Sequence, residues 1–328
     1  MRVLVAGSTG AVGMRLVRQL VARGHQVTAT TRSSDKLARL RAVGADAVMA
    51  DGLDAAAVMA AVARARPEGI VHQMTSLGGP PELRHFDRWF AATNQLRTRG
   101  LDHLLAAAKA SGVRRLVAQS YTGWTNATTG RLVKTEEDPL ELHPARAQRA
   151  TLAAIRYLEE AVSAAPLEGI VLRYGSLYGP GGSEPLVALV RERRFPIIGD
   201  GEGVWSWLHL DDAAMAAVVA LERGQPGVYN IVDDEPARVS DWLPFLATVV
   251  GGPAPRRLPT WLGRLLAGEV VVRWMTRSRG ASNEKARREL EWRPQWRSWR
   301  EGFRYALTAP RVEAVDAPIG TLSPARGR

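Results

Sequence analysis

Residues 7–13 read Gly-Ser-Thr-Gly-Ala-Val-Gly and lie between an apolar segment, residues 1–6, and a helical pattern of apolar residues. The order strand, glycine turn, helix is typical of a pyrophosphate site, because the first helical turn carries unpaired N–H groups and partial positive charge. Gly7 permits the tight turn, Gly10 lets the backbone approach phosphates, and Gly13 lets the helix pack closely. The sequence therefore predicts dinucleotide binding here. The remaining predicted contact residues of the turn are Thr9, Ala11 and Val12.

The composition is that of a globular protein with a sizeable core, since 46% of the 328 residues are hydrophobic and 23% are charged. No membrane-length apolar run, signal-peptide pattern or cysteine is present, which predicts a cytoplasmic protein. The net charge of +11 comes mainly from arginines scattered along predicted helices, which indicates a basic surface rather than a nucleic-acid site. The histidines lack metal-ligand spacing, so no metal is expected.

Strand and helix signals alternate along the first half of the chain, which predicts parallel strands joined by helical crossovers. The predicted fold class is α/β, a Rossmann-type doubly wound parallel sheet with a smaller C-terminal substrate region. We expect a dinucleotide-binding domain over residues 1–175, with residues 204–232 returning to it. Residues 176–308 form most of the predicted substrate-binding region. The tail, residues 309–328, is rich in proline and glycine and is expected to be disordered.

The end of the second predicted strand bears on the choice of cofactor. A carboxylate there binds the ribose hydroxyls of NAD(H) and repels the 2′-phosphate of NADP(H), whereas an arginine favours that phosphate. The chain carries Arg32 and Ser33 at this place, so the sequence favours NADP(H) over NAD(H). The alternative is that Arg32 is a surface arginine beside a helix. Asp51, after the third strand, is placed either to accept from the adenine amino group or to cap the helix that starts near Asp54.

Beyond the glycine turn, several segments form a series along nearly the whole chain. They are Asp51-Gly52-Leu53, Val71-His72-Gln73-Met74, Thr93-Asn94, Leu172 to Gly181, His209 to Ala213, Val228 to Ile231, and Ala286 to Pro294. The series resembles the extended and atypical short-chain dehydrogenases/reductases, the NAD-dependent epimerase/dehydratase family. The resemblance implies that the cofactor contacts further residues. These are Asp51, Gly52, Leu53, Gln73, Met74, Asn94, Tyr174 and Ser176.

Members of that family usually carry hydride chemistry on a Ser/Thr and a Tyr-x-x-x-Lys pair. The lysine lies one helical turn after the tyrosine and lowers the pKa of its phenol. The corresponding helix here covers residues 150–165, and its tyrosine, Tyr157, is followed four residues later by Ala161. None of the four lysines of the chain lies in this helix. We therefore interpret Tyr157 as a packing residue rather than a base.

The other catalytic position of the family also differs in this chain. Residues 118–124 read Ala-Gln-Ser-Tyr-Thr-Gly-Trp, and by register Tyr121 falls where the hydroxyl donor is expected. A phenol at the carboxyl end of a strand can donate the proton itself. The candidate catalytic set is therefore Tyr121 with its neighbours Ser120 and Thr122. The alternative is that Tyr121 caps the strand and shapes the pocket.

Three longer stretches remain open. Apolar spacing over residues 86–111 predicts one long helical stretch. The tryptophans of the C-terminal third indicate either a second core or an apolar substrate cavity. Residues 258–275, apolar with interspersed arginines, fit a lid helix, a dimer face or a membrane-surface helix.

Together these features predict an NADP(H)-dependent oxidoreductase or epimerase that acts on a small carbonyl or hydroxyl compound. Because the Tyr-x-x-x-Lys pair is missing, two alternatives stay open: a dinucleotide-binding sensor, and a non-redox lyase or cyclase. The expected partner is a small-molecule substrate, with no nucleic acid and no membrane span. A homodimer is a further open alternative.

Overall fold

The computed structural model describes residues 1–77 and 82–308 of the chain. The predicted disordered tail, residues 309–328, lies outside the described residues. So do residues 78–81, Gly-Gly-Pro-Pro, which the sequence predicts as part of a loop.

The described strands alternate with helices in the first half of the chain and become short in the second half. In chain order they are β1 (Arg2–Ala6), β2 (Gln26–Thr31), β3 (Asp46–Met49), β4 (Gly69–His72), β5 (Arg115–Tyr121), β6 (Val133–Lys134), β7 (Glu168–Tyr174), β8 (Ser176–Tyr178), β9 (Ile197–Ile198), β10 (Val204–Trp205), β11 (Trp207–His209), β12 (Gly227–Ile231), β13 (Ala237–Arg238), β14 (Arg257–Leu258) and β15 (Gly280–Ala281).

The described helices are α1 (Ala11–Ala22), α2 (Leu37–Ala42), α3 (Ala55–Ala65), α4 (Phe86–Trp89), α5 (Ala91–Gln95), α6 (Leu101–Ala110), α7 (Arg149–Ala164), α8 (Glu184–Arg191), α9 (Leu210–Arg223), α10 (Val239–Val249), α11 (Thr260–Ala267), α12 (Glu269–Thr276), α13 (Glu284–Glu289) and α14 (Trp299–Thr308). Short 3₁₀ turns cover Ser34–Lys36, Leu83–His85 and Arg146–Gln148. A π-helical turn, Leu96–Gly100, joins α5 to α6.

Seven of these strands form one parallel sheet, in the order β12-β7-β5-β4-β1-β2-β3. Val3 of β1 lies opposite Val27 of β2 on one side and Gly69 of β4 on the other. The strand order therefore reverses at β1, and ligands of such sheets bind outside the carboxyl ends of the strands at this point. The α/β doubly wound fold predicted from the sequence is confirmed.

Both faces of this sheet are covered by helices. Residues of α1 and α9 pack on one face, around Leu16, Leu20 and Ala217. Residues of α3, α6 and α7 pack on the other, around Val62, Leu104 and Leu158. Because both faces are buried, β1 is apolar apart from Arg2, as parallel strands usually are, whereas β2 carries three threonines.

A separate apolar core lies in the C-terminal half of the chain. It contains the fully buried Trp207, Trp242 and Trp299. Of the two alternatives left by the sequence, these tryptophans therefore form a core. By contrast, Trp261 of α11 is exposed. The division of the chain at residues 175 and 308 remains a prediction.

Candidate active site

The glycine turn lies at the carboxyl edge of β1, and each glycine has a different environment. Gly7 adopts a φ of +90°, and a Cβ there would lie 2.6 Å from the carbonyl carbon of Gln73. A Cβ on Gly13 would overlap the carbonyl oxygen of Gly7. Gly10 differs, because its Cβ would meet only the carbonyl oxygen of Gly7, at 3.6 Å. The backbone is therefore tightly packed at Gly7 and Gly13, whereas there is free space beside Gly10.

The helix α1 that follows this turn has no side-chain cap, since Gly10 is its N-cap residue and its first turn carries no acidic group. Its first N–H groups are thus available to an anionic group that approaches Gly10. Thr9 and Ala11 are half-buried beside Gly10. Val12 is buried in the core of the sheet, so only its backbone faces the turn. These features fit the pyrophosphate of a dinucleotide.

The guanidinium of Arg32 lies at the carboxyl end of β2 and is exposed. Its Nη2 is 3.4 Å from the hydroxyl oxygen of Ser76. The Ser33 hydroxyl donates to the carboxylate of Asp35, and the Ser33 N–H donates to Thr31 Oγ1 at 3.2 Å. Arg32 is therefore presented at the edge of the site, while the Ser33 hydroxyl already has a partner.

The segment after β3 is ordered by its own carboxylates. Asp51 Oδ1 accepts from the N–H of Leu53 at 3.0 Å. Asp54 Oδ1 accepts from the N–H groups of Ala56 and Ala57, so Asp54 caps α3. The alternative that Asp51 caps this helix is therefore wrong. Gly52 has no space for a Cβ, because the sulfur of Met74 packs directly against it.

The segment after β4 is held by a buried chain of hydrogen bonds. Gln73 Nε2 donates to the Tyr174 hydroxyl at 3.0 Å, and this hydroxyl donates to the carbonyl oxygen of Ala213 at 3.2 Å. Tyr174 is fully buried, and burial raises the pKa of its phenol. The Tyr174 phenol is therefore held in the core, where it supports Gln73, and the cofactor contact of Tyr174 stays a prediction.

Neighbouring side chains of β5 point to opposite faces, as the alternation of a strand requires. Ser120 Oγ donates to Glu159 Oε1 at 2.6 Å, and Thr122 Oγ1 accepts from Asn126 Nδ2 at 3.1 Å. Both hydroxyl residues are fully buried. The prediction of Ser120 and Thr122 as catalytic residues is therefore contradicted by their internal partners.

Tyr121, between them, is half-buried at the end of β5. Its hydroxyl oxygen lies 3.2 Å from the hydroxyl oxygen of Ser176 at the start of β8. Burial raises the pKa of the Tyr121 phenol, an effect that the hydrogen bond to Ser176 opposes. The phenol consequently stays protonated at neutral pH. In this state it can donate a proton but is a poor base.

The helix α7 is the one in which the sequence resemblance implies a Tyr-x-x-x-Lys pair. Its first turn presents Thr151, whose N–H and hydroxyl both donate to Asp87 Oδ1, at 2.9 and 2.6 Å. Asn94 Nδ2 donates to Thr151 Oγ1 at 3.0 Å. Tyr157 is 41% exposed and its hydroxyl donates to Asp102 at 2.6 Å. The interpretation of Tyr157 as a packing residue is therefore wrong. Its hydroxyl is bonded to Asp102 at the protein surface, so Tyr157 does not act as the base either.

A cluster of aromatic side chains adjoins Tyr121, and we call it the aromatic wall: Tyr121, Trp124, Trp274, Phe86 and Phe90. The ring centroids of Tyr121 and Trp124 are 6.0 Å apart, and those of Trp124 and Trp274 are 6.3 Å apart. Phe86 contacts both tryptophans edge-on and stacks on Phe90 at 4.4 Å. Trp124 and Trp274 are half-buried and offer apolar surface beside the phenol of Tyr121, whereas Phe86 and Phe90 are buried.

Sequence reasoning missed Arg97, which lies on the π-helical turn. It is 5% exposed, and its Nη1 has no hydrogen-bond partner among residues 1–77 and 82–308. The sequence did contain an indication of this residue, because Arg97 interrupts the apolar spacing of residues 86–111. The same buried and unpartnered state, within the described ranges, holds for Gln73 Oε1, Asn94 Oδ1 and Gln148 Nε2. Within those ranges the state also occurs in the C-terminal core, at Trp242 Nε1 and Trp299 Nε1, so it does not by itself mark a ligand site.

A model of the NAD dependent epimerase/dehydratase family matches residues 3–232. A 3-diazoavenalumate denitrifying reductase from Streptomyces sp is 45% identical over 92% of this chain and 99% of its own length. A 2-alkyl-3-oxoalkanoate reductase from Stenotrophomonas maltophilia (strain K279a) is 30% identical over 77% of each chain.

Solved structures give the same architecture. The UDP-glucose 4-epimerase of Thermus thermophilus, solved with NAD, superposes with a TM-score of 0.70. The superposition covers 94% of this chain and 98% of the other, at 24% sequence identity. At this identity the likeness establishes the fold. In the part of the chain described here, no helix has the length and hydropathy that a membrane crossing needs.

Proposed function

The chain belongs to the NAD-dependent epimerase/dehydratase family, and from this premise we propose that it is an NADP(H)-dependent reductase that works toward substrate reduction. Its relatives are reductases and epimerases, and the chain is accordingly an NAD(P)-dependent enzyme of the oxidoreductase or epimerase type. We propose three points beyond this family assignment: the reductive direction, the preference for NADP(H) and the roles of single residues.

The observation that carries the reductive direction is the protonated phenol of Tyr121 in a site without a neighbouring lysine. An epimerase that works by oxidation must first remove a proton from a substrate hydroxyl, which requires a base near neutral pH. Burial raises the pKa of the Tyr121 phenol, and α7 contains no lysine that would lower it. Reduction needs at most a proton donor, and Tyr121 is suited to that role.

Two acceptors for the hydride follow from the relatives, and they differ in their need for Tyr121. When bound, the reduced nicotinamide supplies the hydride. If the acceptor is a carbonyl carbon, a C–H bond forms and the carbonyl oxygen takes its proton from the Tyr121 hydroxyl. If the acceptor is a diazonium carbon, a C–H bond forms while the C–N bond breaks and its electron pair leaves with N₂. The second reaction needs no proton donor, and it agrees with the name of the 45% identical relative.

The preference for NADP(H) is supported by Arg32. Its guanidinium is exposed at the carboxyl end of β2, while the carboxylate of Asp35 is engaged by the Ser33 hydroxyl. A guanidinium in this place can form charge-assisted hydrogen bonds with a 2′-phosphate. The backbone of the glycine turn would hold the pyrophosphate, and Gln73, Met74 and Asn94 would line the remaining cleft.

The test compares three probes with purified protein and NADPH: 4-carboxybenzenediazonium, a 2-alkyl-3-oxoalkanoate and UDP-glucose. We expect loss of the reduced-nicotinamide absorbance with at least one of the two carboxylates, together with the reduced product by mass spectrometry. We expect neither cofactor consumption nor UDP-galactose from UDP-glucose.

Because diazonium ions react slowly with NADPH alone, the heat-denatured chain sets the baseline. The Gly10→Ala variant, which places a Cβ on the open side of the turn, should consume NADPH about tenfold or more slowly than the wild type when the cofactor is subsaturating. Epimerisation of UDP-glucose, or no cofactor consumption with either carboxylate, would contradict the proposal.

A further inference from the structure

Arg97 is a buried cation that forms no direct ion pair with a carboxylate of residues 1–77 and 82–308. Its side chain projects from the π-helical turn, and π-turns inside helices are often found at functional sites. The guanidinium carbon lies 5.6 Å above the ring centroid of Phe90, so it borders the aromatic wall. Burial lowers the pKa of the His72 imidazole at the carboxyl end of β4, and the nearby charge of Arg97 lowers it further. Arg97 therefore lies between the edge of the sheet and the aromatic wall.

The carboxylate that acts on Arg97 is already neutralised by another arginine. Glu159 lowers the cost of the Arg97 charge through space. However, Glu159 Oε1 accepts from Arg173 Nε at 2.9 Å and Glu159 Oε2 accepts from Arg173 Nη2 at 2.6 Å. The Ser120 hydroxyl also donates a hydrogen bond to Glu159 Oε1. The buried group of Arg97, Arg173 and Glu159 therefore carries one excess positive charge.

An unpaired buried charge is costly, and proteins usually pair it or place it where a ligand does. Burial favours the neutral form and lowers the pKa of Arg97 to about 10, which still leaves it charged at neutral pH. The hydroxyls of a ribose are neutral and leave this charge uncompensated. The pyrophosphate and the 2′-phosphate have other expected partners, at the glycine turn and at Arg32. The missing anion is therefore expected on the substrate.

We propose that Arg97 is the receptor for a carboxylate of the substrate, whose flat apolar body lies against the aromatic wall. The inference deepens the proposed function and rests on it. The substrate names of the two reductase relatives, 3-diazoavenalumate and 2-alkyl-3-oxoalkanoate, are both names of carboxylates. In this arrangement the guanidinium pairs with the carboxylate, and Arg97 selects carboxylates over neutral analogues.

The experiment measures binding without turnover, so it is independent of whether hydride transfer occurs. The chain is saturated with NADP⁺, and 4-hydroxycinnamate and its methyl ester are titrated by calorimetry. We expect the wild type to bind the carboxylate at least about tenfold more tightly than the ester. In Arg97→Gln this preference should disappear through weaker binding of the carboxylate, and Arg97→Lys should keep part of it. The affinity of each variant for NADPH should stay within about twofold of the wild type.

The proposal is overturned if the wild type binds neither probe or both equally, or if R97Q leaves the preference unchanged. Weaker NADPH binding in R97Q with an unchanged preference would make Arg97 a cofactor residue and would likewise overturn it. Failure of the proposed function would appear separately, as absent NADPH consumption.

A stability measurement distinguishes this role from a structural one. Arg115 is a matched control, because it is equally buried but satisfied by Glu168 and by the carbonyl oxygens of Ala220 and Leu221. We expect Arg115→Met to lower Tm, since it leaves those groups unpaired. Arg97→Met should leave the Tm of the ligand-free chain unchanged or raise it. A loss of Tm in R97M as large as that in R115M would contradict the proposal.

Discussion

Three consecutive residues at the carboxyl end of β5, Ser120, Tyr121 and Thr122, show that adjacent side chains differ in whether they have buried partners. Ser120 and Thr122 have buried partners, whereas Tyr121 reaches Ser176 on the other side. The alternation itself is predictable from the sequence. The partner of Ser120, Glu159, lies 39 residues away in the chain, and local patterns carry no information about such a contact. For this reason the sequence could not show that the hydroxyls of Ser120 and Thr122 already have internal partners.

The Tyr121→Phe variant tests whether the phenol is a proton donor. With a 2-alkyl-3-oxoalkanoate we expect kcat to fall about a hundredfold, because the carbonyl oxygen loses its proton source. With 4-carboxybenzenediazonium we expect no change, because no proton is transferred in that reaction. Steady-state kinetics with both probes decides the matter. Unchanged turnover of the ketone would leave Tyr121 as a wall residue only.

Arg32 determines the cofactor preference in our account. Arg32→Gln should weaken NADPH binding about tenfold and leave NADH binding unchanged, because only NADPH carries the 2′-phosphate. Fluorescence titration of both reduced cofactors measures this. Exposed Arg64, which pairs with Asp46, provides the control variant Arg64→Gln. Equal affinities of the wild type for NADPH and NADH would refute the preference.

Among the elements, the glycine turn was the easiest to predict, because its function depends on backbone space that only glycine provides. The long helix over residues 86–111 was not. It is divided into α4, α5, the π-helical turn and α6. Apolar spacing reports which side of a helix is buried, but one inserted residue changes the register without changing the composition. The buried Arg97 is located at this change of register.

Two glycine substitutions separate folding from binding in the turn. Gly13→Ala should lower Tm and abolish NADPH binding, because its Cβ overlaps the carbonyl oxygen of Gly7, and such overpacking costs about 1–3 kcal/mol. Gly10→Ala should change Tm little, since its Cβ enters open space, yet weaken NADPH binding about tenfold or more. Thermal unfolding and fluorescence titration give the two readouts. NADPH affinity of G10A equal to that of the wild type would show that phosphate does not approach this side.

Across the whole molecule, most of the sheet could be predicted because most of its strands are short segments of apolar or β-branched residues between helical segments. The C-terminal core could not be predicted in detail. It is built from two-residue strands and from tryptophans far apart in sequence, such as Trp207 and Trp299. One buried carboxylate links this part to the sheet helices: Asp212 of α9 accepts from the N–H groups of Gln295 and Trp296, at 2.8 and 3.1 Å.

Asp212 also predicts a pH dependence of the stability of the fold. Burial raises its pKa to about 6, above its value in the unfolded chain. Its contribution to stability is therefore fully present below about pH 4 and is lost as the pH rises through about 6. In Asp212→Asn this contribution cannot titrate. We expect the Tm difference between the variant and the wild type to grow in favour of the variant over that interval. If the Tm values of the wild type and the variant change in parallel with pH, the raised pKa of Asp212 is contradicted.

The most direct test traces the hydrogen that is transferred from C4 of the nicotinamide. The chain is incubated with NADPH deuterated at both C4 positions and with 4-carboxybenzenediazonium or a 2-alkyl-3-oxoalkanoate, and NMR locates the deuterium. A reductase of the proposed kind places it on the carbon that lost N₂ or on the new carbinol carbon. Product that carries only solvent hydrogen at that carbon would contradict the account.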